Sequence, residues 1–270
     1  MTVLVAVATP SGVVLGTDSR STTTKTFQRK GKHVRVGSDT TAKVFDVHGR
    51  YAVATHGADQ IGEETIAALI EQFEPGEADL ASLDAVSNAL GEFLHGRASK
   101  VEPEVSKPRL GLVVAGPRDD GAIGIREVLV PGPKIKPTEL GESLTGTLWR
   151  GQDDAITRLM YGVDWRGLHA SKTKLPDDVR EALEGLTYVQ LAPMTLQDAV
   201  DFAGLLIHTT TELQRFVDGT VARQGMVAGV GGPPQMVVAR RDGVEWIERP
   251  GLRPAYRPPS RGRVRSRARS

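Results

Sequence analysis

The stretch Met1–Arg20, MTVLVAVATPSGVVLGTDSR, decides how the rest of the chain is read. Val3 to Ala8 is an unbroken apolar run rich in valine, which predicts a buried strand. Thr9-Pro10-Ser11-Gly12 carries turn chemistry, Val13 to Gly16 predicts a second strand, and Thr17-Asp18-Ser19-Arg20 is its polar end. The chain therefore opens with a hairpin. Thr2 stands directly behind the initiator methionine, so removing Met1 would leave a hydroxyl and an α-amine on one residue. Such a residue is a nucleophile that carries its own base. An α-amine with a pKa of about 7.7–8.0 is suited to take a proton at neutral pH.

A threonine nucleophile needs further groups, and the sequence offers them at suitable places. Asp18 ends the strand that runs back along the first, so it should return close to Thr2. Lys43 opens the next predicted strand, Lys43 to Val47. A buried ammonium would favour the alkoxide, and a carboxylate would hold that ammonium in place. Gly57 follows the predicted strand Tyr51 to Thr55 and precedes a helix expected near Gln60 to Phe73. A strand-to-helix junction of this kind can offer a backbone amide to an oxyanion.

Further along, Ser21 to Thr41 reads as an exposed basic loop or short ribbon. Leu80 to Leu94 has helical spacing. Leu110 to Ala115 and Ala122 to Val130 read as strands around the turn Pro117 to Gly121, and Thr138 to Leu148 adds another strand. Gly151 to Val163 and Pro176 to Leu186 read as helices. Thr195 with Asp198 three residues on forms a capping-box start for a long helix reaching about Phe216. Gly229 to Pro234 turns, and Met236 to Ala239 and Val244 to Ile247 form a closing hairpin. Helices in adjacent pairs between antiparallel strands predict layers with helices on sheet faces.

The 270 residues include no cysteine, so a disulfide framework, a thiolate nucleophile and a zinc–cysteine site are excluded. No apolar run approaches the roughly 18 residues of a membrane helix. No signal peptide is apparent at the start, and a cytoplasmic protein fits. The histidines at 33, 48, 56, 95, 169 and 208 lack ligand spacing, so neither metal nor cofactor is expected. Gly229-Val230-Gly231-Gly232 runs into two prolines where a dinucleotide-binding helix would start, and no Walker A or Gly-x-Ser-x-Gly sequence occurs. Net charge is +1, yet eight arginines and no acid lie in 249–270, which leaves residues 1–248 at −7. The reading divides the chain into one domain over 1–248 and a disordered Arg/Pro-rich tail over 249–270.

Taken together, Thr2, the Gly-Val-Val-Leu-Gly-Thr-Asp-Ser-Arg hairpin strand, Lys43 and the Ala-Thr-His-Gly-Ala-Asp approach resemble a proteasome β-type subunit. In layout the chain is similar to the simple bacterial homologues of that family, among the N-terminal nucleophile hydrolases. Gly231-Gly232-Pro233 with Met236 to Gly243 is similar to the family's closing turn and strand. The resemblance implies an α+β fold, a four-layer αββα sandwich of two antiparallel sheets flanked by helices. It also implies threonine-type peptidase or amidohydrolase activity. Thr2 would be the nucleophile, Asp18 and Lys43 its supporting pair, Arg20 the arginine that often follows, and Gly57 the oxyanion donor. Peptide or protein substrates and self-assembly into rings are implied as well. The chain departs from the pattern in a longer segment between Asp18 and Lys43. Arg150-Gly151-Gln152-Asp153 stands where the family has a serine turn. Asp218 is the candidate for the family's final aspartate, with Val230 where its serine would be.

Plainer readings stand beside these. Thr2 is then only the residue before a strand, Asp18 and Lys43 a structural ion pair, and Gly57 the residue of a tight turn. A non-catalytic proteasome-like scaffold or assembly protein is the second function class. A nucleic-acid-associated protein acting through the basic tail is the third.

Overall fold

The computed structural model describes residues 1–27, 31–101, 109–130, 134–137, 145–172, 174–186, 189–216, 219–220, 223–224 and 228–248. The predicted tail, 249–270, and Asp218 lie outside them. The opening hairpin is formed by β1 (Val3–Thr9) and β2 (Gly12–Thr17), with Leu4 opposite Thr17 and Val7 opposite Val14. The Ser21–Thr41 stretch is a ribbon of β3 (Ser21–Phe27) and β4 (Gly31–Ser38). Then come β5 (Val44–Val47), β6 (Tyr51–Gly57), the short pair β7 (Gln60–Ile61) and β8 (Glu64–Thr65), α1 (Ile66–Glu71) and α2 (Leu83–Val101). Next are β9 (Leu110–Pro117), β10 (Ile123–Val130), β11 (Lys134–Pro137), β12 (Gly146–Gly151), α3 (Asp154–Tyr161), α4 (Trp165–Ala170), α5 (Asp177–Leu186) and α6 (Leu196–Leu213). The chain closes through β13 (Gly219–Thr220), β14 (Arg223–Gln224), β15 (Gln235–Arg240) and β16 (Gly243–Glu248).

The fold is α+β, with two five-stranded antiparallel sheets. The first has the order β12-β1-β2-β15-β16 and the second β11-β10-β9-β6-β5. Alternation along the strands sorts their side chains into three apolar clusters. Leu4, Ala6, Ala8, Val13, Leu15, Leu148, Val237 and Ala239 of the first sheet pack with Val44, Ala52, Ala54, Val113, Ala115, Ile123 and Ile125 of the second. Small residues are frequent where the sheets meet. The opposite faces carry larger ones: Val3, Val5, Val7, Val14 and Val238 meet α3 and α6, while Val53, Leu112, Val114 and Val128 meet α1 and α2. β1 is buried along its whole length, which explains why its sequence lacks a polar face. Each such Leu or Val contributes roughly 1.5–3 kcal/mol by leaving water.

Several expected boundaries move. The helix expected over Gln60–Phe73 is only α1, because Gly62 turns the chain at φ +62° and joins β7 to β8 first. Thr65 then caps α1 by accepting from Ala68 N. The helix expected over Leu80–Leu94 starts at Leu83 behind the Ser82 hydroxyl, which accepts from Ala85 N at 3.2 Å, and runs on to Val101. The strand expected over Thr138–Leu148 is β12, Gly146–Gly151, and 138–144 lie outside the described residues. The helix expected over Gly151–Val163 shrinks to α3, closed by Gly162 in the left-handed region. The Thr195–Asp198 capping box of α6 is present in full.

Candidate active site

At the site, the polar end of β2 meets the start of β1. Asp18 N donates to Val3 O at 3.2 Å, and Val3 N donates to Asp18 Oδ1 at 3.1 Å. Lys43 Nζ donates to the same Oδ1 at 2.9 Å and to Arg20 O at 2.6 Å. The other carboxylate oxygen accepts from Arg20 N and Gly231 N, each at 3.1 Å. Asp18 is wholly buried, and Lys43 and Thr2 are 4% and 5% exposed. One carboxylate thus ties residue 3, residue 20, residue 43 and residue 231 together. Burial pushes the Asp18 carboxyl up and the Lys43 ammonium down, and the attraction between them opposes both shifts.

The position of Lys43 is set by a residue that the sequence reading passes over. Gln235, fully buried at the start of β15, accepts from Lys43 N at 2.9 Å and from Val44 N at 3.2 Å. Its amide donates to Thr41 O at 2.7 Å. One glutamine therefore fixes the chain on both sides of Ala42. In the sequence it is only a polar residue before an apolar strand, with no local sign of burial.

Thr2 lies on the alternation of Leu4, Ala6 and Ala8, the side of β1 that faces the second sheet. Its carbonyl accepts from Gln152 N at 2.6 Å. Gly151 makes this approach possible: its φ is +88°, and a Cβ there would collide with Thr2 O. Arg150-Gly151-Gln152-Asp153 thus grips the main chain of Thr2 and brings no hydroxyl to it. Val230, where the family has a serine, is buried against the outer face of the first sheet. Met1 is seated beside Gly229, and its amine donates to Thr22 Oγ1 at 3.3 Å.

Arg20 joins the constellation through its backbone. Its guanidinium points to Asp39, with Nε–Oδ1 at 2.6 Å and Nη2–Oδ2 at 3.1 Å, and donates to Ala228 O at 3.2 Å. This pairing holds the Asp39 carboxyl below its usual range.

Gly57 ends β6, but β7 and β8 intervene before α1, so it does not sit at a strand-to-helix junction as expected. Its amide direction follows from the ladder. Thr55 N donates to Lys43 O at 2.8 Å, and Ala58 N donates to Arg109 O at 2.7 Å on the other side. Alternation therefore aims the Gly57 N–H toward the Lys43 side, past the end of β5. Gly57 has φ +94°, and a Cβ would collide with Arg109 O. A cavity of about 280 Å³ opens beside it, lined by Ala58, Asp59, Ile61, Val101, Arg109 and Leu110 among others.

The structure thus brings the main chain at Thr2 and Val3, the Asp18 and Lys43 side chains and the Arg20 main chain together, and strand alternation turns the Gly57 N–H away from β9. Among the described residues no cluster of three or more His, Asp or Glu could hold a metal ion, and no helix is long and apolar enough to cross a membrane. When the chain is compared with known proteins, no family model matches it and no curated protein matches it.

Proposed function

We propose that this chain is an amide hydrolase of the N-terminal nucleophile type, a proteasome-like threonine peptidase, with Thr2 as nucleophile once Met1 is removed. One observation carries the reading: the buried Asp18 Oδ1 is shared by Lys43 Nζ and Val3 N, which places an ammonium–carboxylate pair beside the backbone of residue 2. In this reading Thr2 Oγ attacks the carbonyl carbon and its proton passes to the Thr2 amine. Lys43 favours the alkoxide, and the Gly57 amide receives the developing oxyanion. The amine then protonates the leaving nitrogen as the C–N bond breaks. Water attacks the resulting Thr2 ester, regenerating the hydroxyl.

The two sheets with α1 and α2 on one outer face and α3 and α6 on the other support an αββα sandwich of four layers for this type. Self-assembly into rings belongs to the same proposal, and sedimentation of the purified chain tests it. The deciding experiment is intact-mass measurement before and after treatment with a peptide epoxyketone or β-lactone. The reading expects loss of Met1 and a single adduct mapping to Thr2, absent in Thr2→Ala and Lys43→Ala. Met1 loss with no adduct at any inhibitor concentration would sink it.

The seating of Met1, with its amine on Thr22 Oγ1 and its side chain against Gly229, favours a second reading as a non-catalytic scaffold. Retained Met1 in protein from its natural host would select that reading.

A further inference from the structure

The mechanism above leaves one partly buried ionic cluster unused. His56, Glu127 and Arg150 come from β6, β10 and β12, so the cluster joins the two sheets. Arg150 lies opposite Leu4 on β1, at the end of the inter-sheet layer where Thr2 begins. Its guanidinium forks onto Glu127, Nε–Oε1 at 2.6 Å and Nη2–Oε2 at 2.9 Å. His56 Nε2 faces the same Oε1 at 3.6 Å, is buried, and makes no hydrogen bond. The ring reaches Glu127 across β9 because residue 111 is glycine: a Cβ there would collide with His56 Nε2. β9 gives up a side chain here to admit an imidazole, as it does at Gly116 beside the Tyr51 ring. β1 and β9, which lie against β6, carry no charged residue, and the ring nitrogen faces Glu127, whose carboxylate Arg150 forks.

His56 immediately precedes Gly57, so the Gly57 N–H belongs to the peptide that His56 begins. We infer that His56 is a positioning residue: seated over Gly111 and facing the Glu127 carboxylate that Arg150 forks from the opposite sheet, it restrains the tilt of the His56–Gly57 peptide and thereby aims the Gly57 amide. The inference rests on the hydrolase reading for its catalytic consequence, though not for its geometry. The ladder sets the side to which the Gly57 N–H points; with φ +94° and no side chain at residue 57, the tilt of that peptide is left to the side chain of the preceding residue. His56 acts through this amide and does not touch the substrate.

Three variants test it: His56→Leu, which keeps bulk and removes the ring nitrogens; His56→Gln, which keeps an amide donor for Glu127; and Gly111→Ala, which displaces the ring and leaves its chemistry intact. His56→Leu and Gly111→Ala are expected to lower kcat for a fluorogenic peptide about 10- to 100-fold with KM within about twofold, the size of a misaimed oxyanion donor. His56→Gln is expected to retain kcat within about threefold. The second readout is the Gly57 amide resonance in a ¹⁵N spectrum of Thr2→Ala protein, which needs no turnover. It should move in His56→Leu and Gly111→Ala and stay near the parent position in His56→Gln. A parent enzyme without activity, combined with this resonance pattern, defeats the hydrolase reading and leaves the positioning role standing. A Gly57 resonance that is unmoved in His56→Leu, or equal losses of kcat in His56→Leu and His56→Gln, overturns the inference.

Discussion

Asp18–Lys43 and Glu127–Arg150 are two acid–base pairs at the same end of the inter-sheet layer, and their surroundings treat charge in opposite ways. The side chains of the first pair are almost sealed, 0% and 6% exposed, and burial is the largest influence on both, working against the charged forms. In the second, Arg150 is a third exposed, and its fork is the largest influence on Glu127, holding that carboxyl down at about 2. In one pair burial works against both charges and mutual attraction works for them. The other is locked as ions and acts as a strut between sheets. The difference shows that the presence of an ion pair says little about its role; the balance of desolvation against pairing says more.

The largest effect should come from Asp18→Ala. It strands a buried ammonium and leaves three backbone N–H groups without their carboxylate, so a loss of about 3–5 kcal/mol is expected in urea unfolding. The double change Asp18→Leu with Lys43→Met removes both charges and should recover most of that stability without recovering activity. A single variant as stable as the parent would erase the contrast between the two pairs.

Glu127→Gln should have a smaller, pH-dependent effect. The folded value near 2 lies below the ordinary 4.5, so the carboxylate's contribution is full above pH 4.5 and fades as the pH falls toward 2. After discounting for partial exposure, the variant should be about 1–2 kcal/mol less stable at pH 7. The gap should close in acid, as read from melting temperatures between pH 7 and pH 2.5. A constant gap would assign the effect to packing. Arg20→Lys is the exposed control. The fork to a half-exposed Asp39 should be worth less than about 1 kcal/mol and weaken further in salt, while the backbone contacts of residue 20 persist.

Much of this arrangement was legible in the sequence because it is local. The opening hairpin, the return of Asp18 to residue 3 and the Thr195 cap follow from neighbouring residues and short turns. The hidden parts depend on distant pairings. Gln235 binds residue 43 across 192 positions, and Glu127 reads as an ordinary outward charge until Arg150 and His56 arrive from other strands. Gly111 resembles any glycine in an apolar run, since only the imbalance of space over β9 explains it. The β7–β8 hairpin is hidden because Ile61 and Ile66 also suit a helical face, and a single glycine, Gly62, is all that marks the turn between the strands.

The Gly231 amide on Asp18 also has a kinetic meaning. β2 gains its second neighbour only when β15 arrives, so the carboxylate of residue 18 waits for more than two hundred residues of synthesis before its shell closes. A ribosome-bound chain, or a fragment cut before that point, carries Asp18 and Lys43 without the Gly231 amide that completes the carboxylate's shell. Residues 18 and 231 must meet before the opening residues acquire their final electrostatic character.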